Sequence, residues 1–138
     1  MFNKITENLA IGSITETEQL QEVKQQGYNT VIDLCSSGEG NQLDSQTITD
    51  IGFHHANIPV TPQTLNQDTL NFFMEKLDNL PQPSYIRCAS GLRAGVFTLL
   101  TLANKENWTE EKYLEEFAKL DLPKKQIIMD FAHNYFQK

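Results

Sequence analysis

The chain has 138 residues, 39% of them hydrophobic, and a formal net charge of −7. That length suits a single domain, 1–138, with one real core, and is too short for two comfortable ones. The acidic balance argues against nucleic acid or an anionic membrane as the main partner, since both reward a basic face.

Residues 5–14 read as a short strand turning at Gly12. Thr15-Glu16-Thr17-Glu18 sets a hydroxyl and a carboxylate three residues apart, a capping-box pattern, and predicts a helix to about Gln26. Gly27 stops it, and 28–35 reads as a strand ending at Cys35. The syntax then repeats, with a shorter helix over 44–51, a stop at Gly52, and a strand over 53–60 closed by Pro59 and Pro62. A third helix is expected over 66–80, with Leu70, Phe73, Met74 and Leu77 as its apolar stripe. Pro81 and Pro83 break it before a strand at 84–88. The pattern is helical again over 91–107, and after a capped turn at Trp108-Thr109 two more helices close the chain around Pro123.

Helices alternating with strands through short loops predict crossover units. The expected fold is α/β, a three-layer αβα sandwich around a central four- or five-stranded, mostly parallel sheet. Ligands bind such sheets beyond the carboxyl ends of the strands. Cys35 and Cys88 both end strands, so they should share one rim, whereas His133 need not.

No apolar run is long enough to span a bilayer, and the opening Met1-Phe2-Asn3-Lys4-Ile5 lacks a signal-peptide pattern, so a cytoplasmic protein is expected. Two cysteines give no disulfide framework, and no His/Cys cluster has metal spacing. Neither a metal nor a cofactor is expected. Phe131, Tyr135 and Phe136 with Ile127 and Ile128 read as a helix face on the core.

The chemistry concentrates in Tyr85-Ile86-Arg87-Cys88-Ala89-Ser90-Gly91-Leu92-Arg93-Ala94-Gly95, which holds both arginines of the chain. An apolar strand delivers a cysteine, a small-residue turn follows, and Arg93 opens a helix. A free thiol is only a few per cent ionised at neutral pH, and making it mostly ionised takes about 4 kcal/mol. A helix dipole supplies about 0.3–2 kcal/mol. The rest is expected from inward-facing N–H groups of Ala89 to Arg93 and from the Arg93 guanidinium, whose planar fork grips two oxygens of a phosphate-like group. Ser90 either donates to the sulfur or a leaving group, or caps the helix that follows. Arg87 should point to the opposite face from Cys88 and form a structural ion pair.

This loop resembles the phosphate-binding loop of cysteine-dependent tyrosine and dual-specificity phosphatases. With Asn8-Leu9-Ala10-Ile11-Gly12-Ser13, Gly27-Tyr28-Asn29-Thr30-Val31-Ile32-Asp33-Leu34, Gly52-Phe53 and Asn57-Ile58-Pro59-Val60, nearly the whole chain is similar to a small bacterial phosphatase-like domain also found fused to beta-lactamase-like hydrolases. The resemblance implies Cys88 and Arg93 as catalytic residues. It assigns phosphate binding to Ala89, Ser90, Gly91, Leu92 and Arg93, and implies a phosphorylated protein or small molecule as substrate.

Three departures shape the expectation. Four residues separate Cys88 from Arg93, where phosphatase loops typically have five. The shorter ring is also seen in rhodanese-like sulfurtransferases, whose cysteine carries a persulfide. Arg87 stands where phosphatases commonly have His. The stretch 59–63, where such enzymes place an aspartic general acid, has no carboxylate, and Asp68 is the nearest downstream candidate. Cys35 is a candidate redox partner for Cys88 or a small core-edge residue. Three readings follow: a phosphomonoesterase working through a cysteinyl-phosphate, a sulfurtransferase working through a Cys88 persulfide, and a non-catalytic anion-binding regulatory module.

Overall fold

Two apolar runs separated by Glu7-Asn8 fold into a hairpin rather than the single strand expected over 5–14. In the computed structural model, which describes residues 1–137, β1 (Phe2–Thr6) runs antiparallel to β2 (Leu9–Gly12). The Asn8 amide donates to Thr6 Oγ1 at 3.2 Å and fixes the turn.

The capping box expected at Thr15 does not form. Helix α1 (Thr17–Gln25) starts after Glu16, which makes no side-chain cap. The cause lies one residue upstream of Thr15. Ile14 donates its N–H to Tyr85 Oη at 3.1 Å and accepts Arg87 Nε–H at 3.0 Å, so its backbone is already committed to the sheet.

The remaining elements follow the expected order with trimmed ends: β3 (Thr30–Asp33), a short 3-10 turn (Ser37–Glu39), α2 (Ser45–Ile51), β4 (His54–Asn57), α3 (Gln67–Asn79), β5 (Ser84–Arg87), α4 (Leu92–Glu106), α5 (Glu110–Ala118) and α6 (Gln126–Tyr135). Side chains of Asp44, Asn66 and Thr109 cap α2, α3 and α5, each accepting an amide hydrogen bond three residues on. Strands β3 and β4 stop at Asp33 and Asn57, which leaves Leu34, Cys35 and Ile58 to the loops at their carboxyl ends.

The sheet order is β1-β2-β5-β3-β4, with every pair parallel except β1 with β2. Strand period sends alternate residues to opposite layers. Ala10, Val31 and Tyr85 pack with Leu20 and Val23 of α1 and Ile48 of α2. Ile11, Ile32 and Ile86 pack with Phe73 of α3, Phe97 of α4, Tyr113 of α5 and Ile128 of α6. Helices therefore cover both faces of a five-stranded, mostly parallel sheet. Strand β5, which leads into Cys88, lies at its centre.

Arg87 faces the α1/α2 layer, two residues beyond Tyr85. Register pairs it with Asp33 on β3, and Arg87 Nη1 lies 3.0 Å from Asp33 Oδ1 with both side chains fully buried. Asp33 accepts two further hydrogen bonds, from the amides of Cys35 at 3.1 Å and Leu43 at 2.8 Å. Arg87→Met would strand that carboxylate without a counter-charge, and should lower the free energy of urea unfolding by about 3–5 kcal/mol. In a double-mutant cycle with Asp33→Asn, the pair should cost at least about 1 kcal/mol less than the sum of the single changes. Additive losses would show that the pair is not coupled.

Candidate active site

The Cys88 amide donates to Gly12 O at 3.1 Å, so the cysteine leaves the sheet as a continuation of the β2–β5 ladder. Helix α4 must then begin within four residues, and Gly91 makes that reversal with φ of 91°, a left-handed conformation that disfavours side chains. The Met1 side-chain methyl occupies the space a Cβ at Gly91 would need. The turn wraps backbone donors around the sulfur: the amides of Gly91 at 3.1 Å and Ala94 at 3.4 Å point at Cys88 Sγ. Ser90 Oγ accepts the Leu92 amide at 3.3 Å, while the N-cap position of α4 is Gly91 and has no side-chain cap. The amides of Ala89, Ser90 and Arg93 make no hydrogen bond within the described residues. Cys88 itself is fully buried at the base of this turn.

Arg93, in the first turn of α4, is held by a residue the sequence reading did not single out. Its Nη1 donates to Glu39 Oε2 at 2.9 Å and its Nη2 to Glu39 Oε1 at 2.7 Å, a two-pronged pairing of guanidinium with carboxylate. Nη1 also donates to Val60 O at 2.8 Å and lies 3.4 Å from Leu34 O. The Nε–H has no partner among the described residues. Hydrogen bonding from Arg93, helped by the backbone and hydroxyl of Ser36, outweighs burial and holds Glu39 down at about 2. The same pairing keeps Arg93 firmly ionised. Glu39 is oriented in turn by a capping box, its carboxylate accepting from Ser36 N at 2.7 Å and Ser36 Oγ at 3.0 Å. The hydroxyl-to-carboxylate spacing that failed at Thr15–Glu18 is thus realised at Ser36–Glu39, and that spacing was the available signal for Glu39.

A cavity of about 290 Å³ opens beside Arg93. Val60, Pro62, Leu65, Leu92, Ile127 and Ile128 form its apolar wall; Ser36, Thr61 and Lys125 add polar groups to Glu39 and Arg93. Ile127 is therefore not part of the core face expected of its helix: it is half exposed and lines the cavity, while Ile128 is buried. The cavity's only carboxylate, Glu39, is the one ionised against Arg93.

Asp68 is not brought to this cavity. It lies in the first turn of α3 and lines a separate open cleft with Asn57, Pro59 and Phe72. Cys35 and Cys88 follow adjacent strands, and both thiols are free. Burial pushes the Cys35 thiol up to about 11 against the opposing pull of Arg87 and Arg93. Arg93 Nη2 lies 3.9 Å from Cys35 Sγ, so the guanidinium bridges toward both loops. His133 pairs with Glu110 at 2.6 Å on α5, away from the rim. Among the described residues no three His, Cys, Asp or Glu side chains cluster as a metal would require.

No protein-family signature matches the chain, and no curated protein sequence does. Solved structures share its fold. A DUF442 protein of Shewanella putrefaciens CN-32, provisionally assigned as a phosphatase, superposes with a TM-score of 0.78 over 96% of this chain and 89% of its own, at 17% identity. Tk-PTP in its active form gives 0.78 over 99% and 97%, at 16% identity. TpbA of P. aeruginosa gives 0.79 over 96% and 83%, at 11% identity. The α/β architecture is that of these phosphatase-like proteins.

Because folding lowers the Glu39 pKa from its ordinary 4.5 to about 2, its clamp contributes to stability in full above the ordinary value and loses that contribution as pH falls through 2. Glu39→Gln removes the contribution. The gap in unfolding free energy between the two proteins should stay constant above about pH 5.5 and narrow steadily toward pH 2 in denaturant titrations. A gap independent of pH would mean that the clamp adds nothing to stability.

Proposed function

We propose that this chain is a cysteine-dependent phosphomonoesterase, a single phosphatase-like domain over 1–138 acting in the cytoplasm on phosphorylated substrates of the tyrosine or dual-specificity kind. The observation that carries the reading is the convergence of two backbone N–H groups on the Cys88 sulfur, with Arg93 one turn of chain away. These donors fix the position of the atom that would form the bond to phosphorus.

In the proposed cycle, Cys88 Sγ attacks phosphorus and the bond from phosphorus to the leaving oxygen breaks, giving a cysteinyl-phosphate. Water then attacks that phosphorus, releasing inorganic phosphate and returning the sulfur to its starting state. The unpartnered amides of Ala89, Ser90 and Arg93 and the free Nε–H of Arg93 take the equatorial oxygens, where charge builds in the transition state. Leu92 and Gly91 complete the loop. Positive potential comes from these donors, so the chemistry calls for no metal.

Leaving-group protonation is the step this site supplies least. The one carboxylate in the cavity is ionised, so the substrates that suit it are aryl phosphates, whose leaving oxygen departs without help. P. aeruginosa TpbA has been solved with pTyr bound, which supports an aryl phosphate as the substrate class. No helix among the described residues is long and apolar enough to cross a membrane.

The short ring and the missing acid also suit a sulfurtransferase, and one experiment separates the readings. Mass spectrometry of Cys88 after exposure to an aryl phosphate should show a phosphoryl adduct, whereas thiosulfate should leave no added sulfur. Cys88→Ser should lower aryl-phosphate turnover by at least about a thousandfold, and Arg93→Lys by about a hundredfold. An added sulfur would establish sulfur transfer. With neither adduct present, and with anion affinity kept in Cys88→Ser, the chain would be a binding module.

A further inference from the structure

Among the described lysines, Lys4 pairs with Glu7, Lys105 with Asp78, and Lys112 and Lys119 with Glu116. Lys24 and Lys76 lie over the rings of Phe53 and Phe72. Lys124 and Lys125 alone have no side-chain partner, in a chain with 18 acidic residues available to supply one. They also sit where a cation is least welcome. Lys125 is the N-cap residue of α6, whose first turn carries no acid, so the lysines and the positive end of the helix repel one another. That arrangement costs stability unless an anion comes to it.

Lys125 lines the same cavity as Arg93. Arg93 is already neutralised by Glu39, so Lys125 is the cavity's only uncompensated charge. The wall between is apolar, and about 290 Å³ is ample for an aromatic ring. Lys125 lines the cavity yet is exposed, so it stands at the solvent edge of the cavity, beside a ring held on the apolar wall rather than beneath it.

We infer that Lys125 is a specificity-determining residue that selects phosphotyrosyl peptides carrying an Asp or Glu next to the phosphorylated ring. The inference rests on the proposed phosphate site at Cys88 and Arg93. The ring lies along Val60, Pro62, Leu92 and Ile127, its phosphate in the loop, and the neighbouring carboxylate meets Lys125, with Lys124 adding to the same field.

The test uses the unaltered protein and two peptides bearing a non-hydrolysable difluorophosphonate in place of the tyrosine phosphate, one flanked by Glu and the other by Gln. Binding is read by fluorescence anisotropy. The Glu peptide should bind about three- to fivefold tighter at low ionic strength, the advantage of one exposed ion pair. It should lose most of that advantage at about 0.3 M salt. In Lys125→Gln the ratio should fall to near one, and in Lys125→Glu it should invert.

Equal affinities in the unaltered protein, or a ratio unchanged in Lys125→Gln, would overturn the inference. Phosphate release from phenyl phosphate, measured alongside, separates this outcome from the function beneath it. Release with a ratio of one sinks the role of Lys125 and leaves the phosphatase standing. A Lys125-dependent ratio without release or a Cys88 adduct keeps the role of Lys125 and sinks the hydrolase. Failure of both peptides to bind overturns the role of Lys125, and with no phosphate released from phenyl phosphate it sinks the phosphatase as well.

Discussion

A single buried carboxylate, Asp33, organises the rim on which this site stands. Its two oxygens receive the Arg87 guanidinium and the amides of Cys35 and Leu43, so one side chain fixes the end of β3, the strand beneath Cys88 and the far end of the intervening loop. Arg87 extends the anchor to the segment that follows β2 through Ile14 O. Taking two charges out of water costs several kcal/mol each, and an isolated pair seldom recovers it. Three donors on one carboxylate, plus the carbonyl on the arginine, are what make the arrangement tenable. One Arg87 nitrogen, Nη2, is buried with no hydrogen-bond partner among the described residues.

From that anchor the effect runs outward to Arg93. With Cys35 and Leu43 both tied to Asp33, the segment between them forms a compact loop rather than a free one. Within it the Ser36–Glu39 capping box aims a carboxylate at the guanidinium. Glu39 takes one nitrogen edge of Arg93, and the carbonyls of Val60 and Leu34 crowd the same Nη1. Arg93 is thereby ordered before any ligand arrives, with Nε–H left over. Ordering a long side chain in advance removes an entropic cost from binding. The clamp has an electrostatic consequence as well, since it cancels most of the positive charge at the loop. Under the proposed function, an incoming phosphate would meet oriented N–H groups rather than a bare cation.

Much of this was legible in the sequence, and the exceptions share a physical cause. The strand–helix alternation, the helix starts near Asp44 and Asn66, the turn between Cys88 and Arg93, the capped turn at Thr109 and the ion-pairing role of Arg87 all rest on local pattern, and the structure has each of them. The capping box at Thr15 failed because Ile14 is bound across the sheet by Tyr85 and Arg87, partners 71 and 73 residues away. Glu39 was missed because its role depends on Arg93, 54 residues distant. Asp68 was considered because proximity in sequence to the expected acid position suggested it, yet helix α3 directs it to another cleft. Sequence pattern reports on neighbours along the chain, whereas these assignments belong to neighbours in space.

The missing acid and the apolar wall are independent features that bear on the same substrate. An alkoxide leaving group, whose conjugate acid is about as weak as bulk water, needs a proton as it departs. A phenolate, with a conjugate acid near 10, does not. A cavity whose one carboxylate is ionised against Arg93 therefore suits aromatic leaving groups on chemical grounds alone. Val60, Pro62, Leu65, Leu92 and Ile127 point the same way on packing grounds, because they offer a ring a surface that an alkyl phosphate with polar substituents would have to desolvate against. The ionised carboxylate and the apolar wall come from different elements, the one from the loop after β3 and the other largely from the 60–65 segment and α6. Under the proposed reaction, two constraints that arise separately and disfavour the same ligands would narrow the substrate class more than either alone.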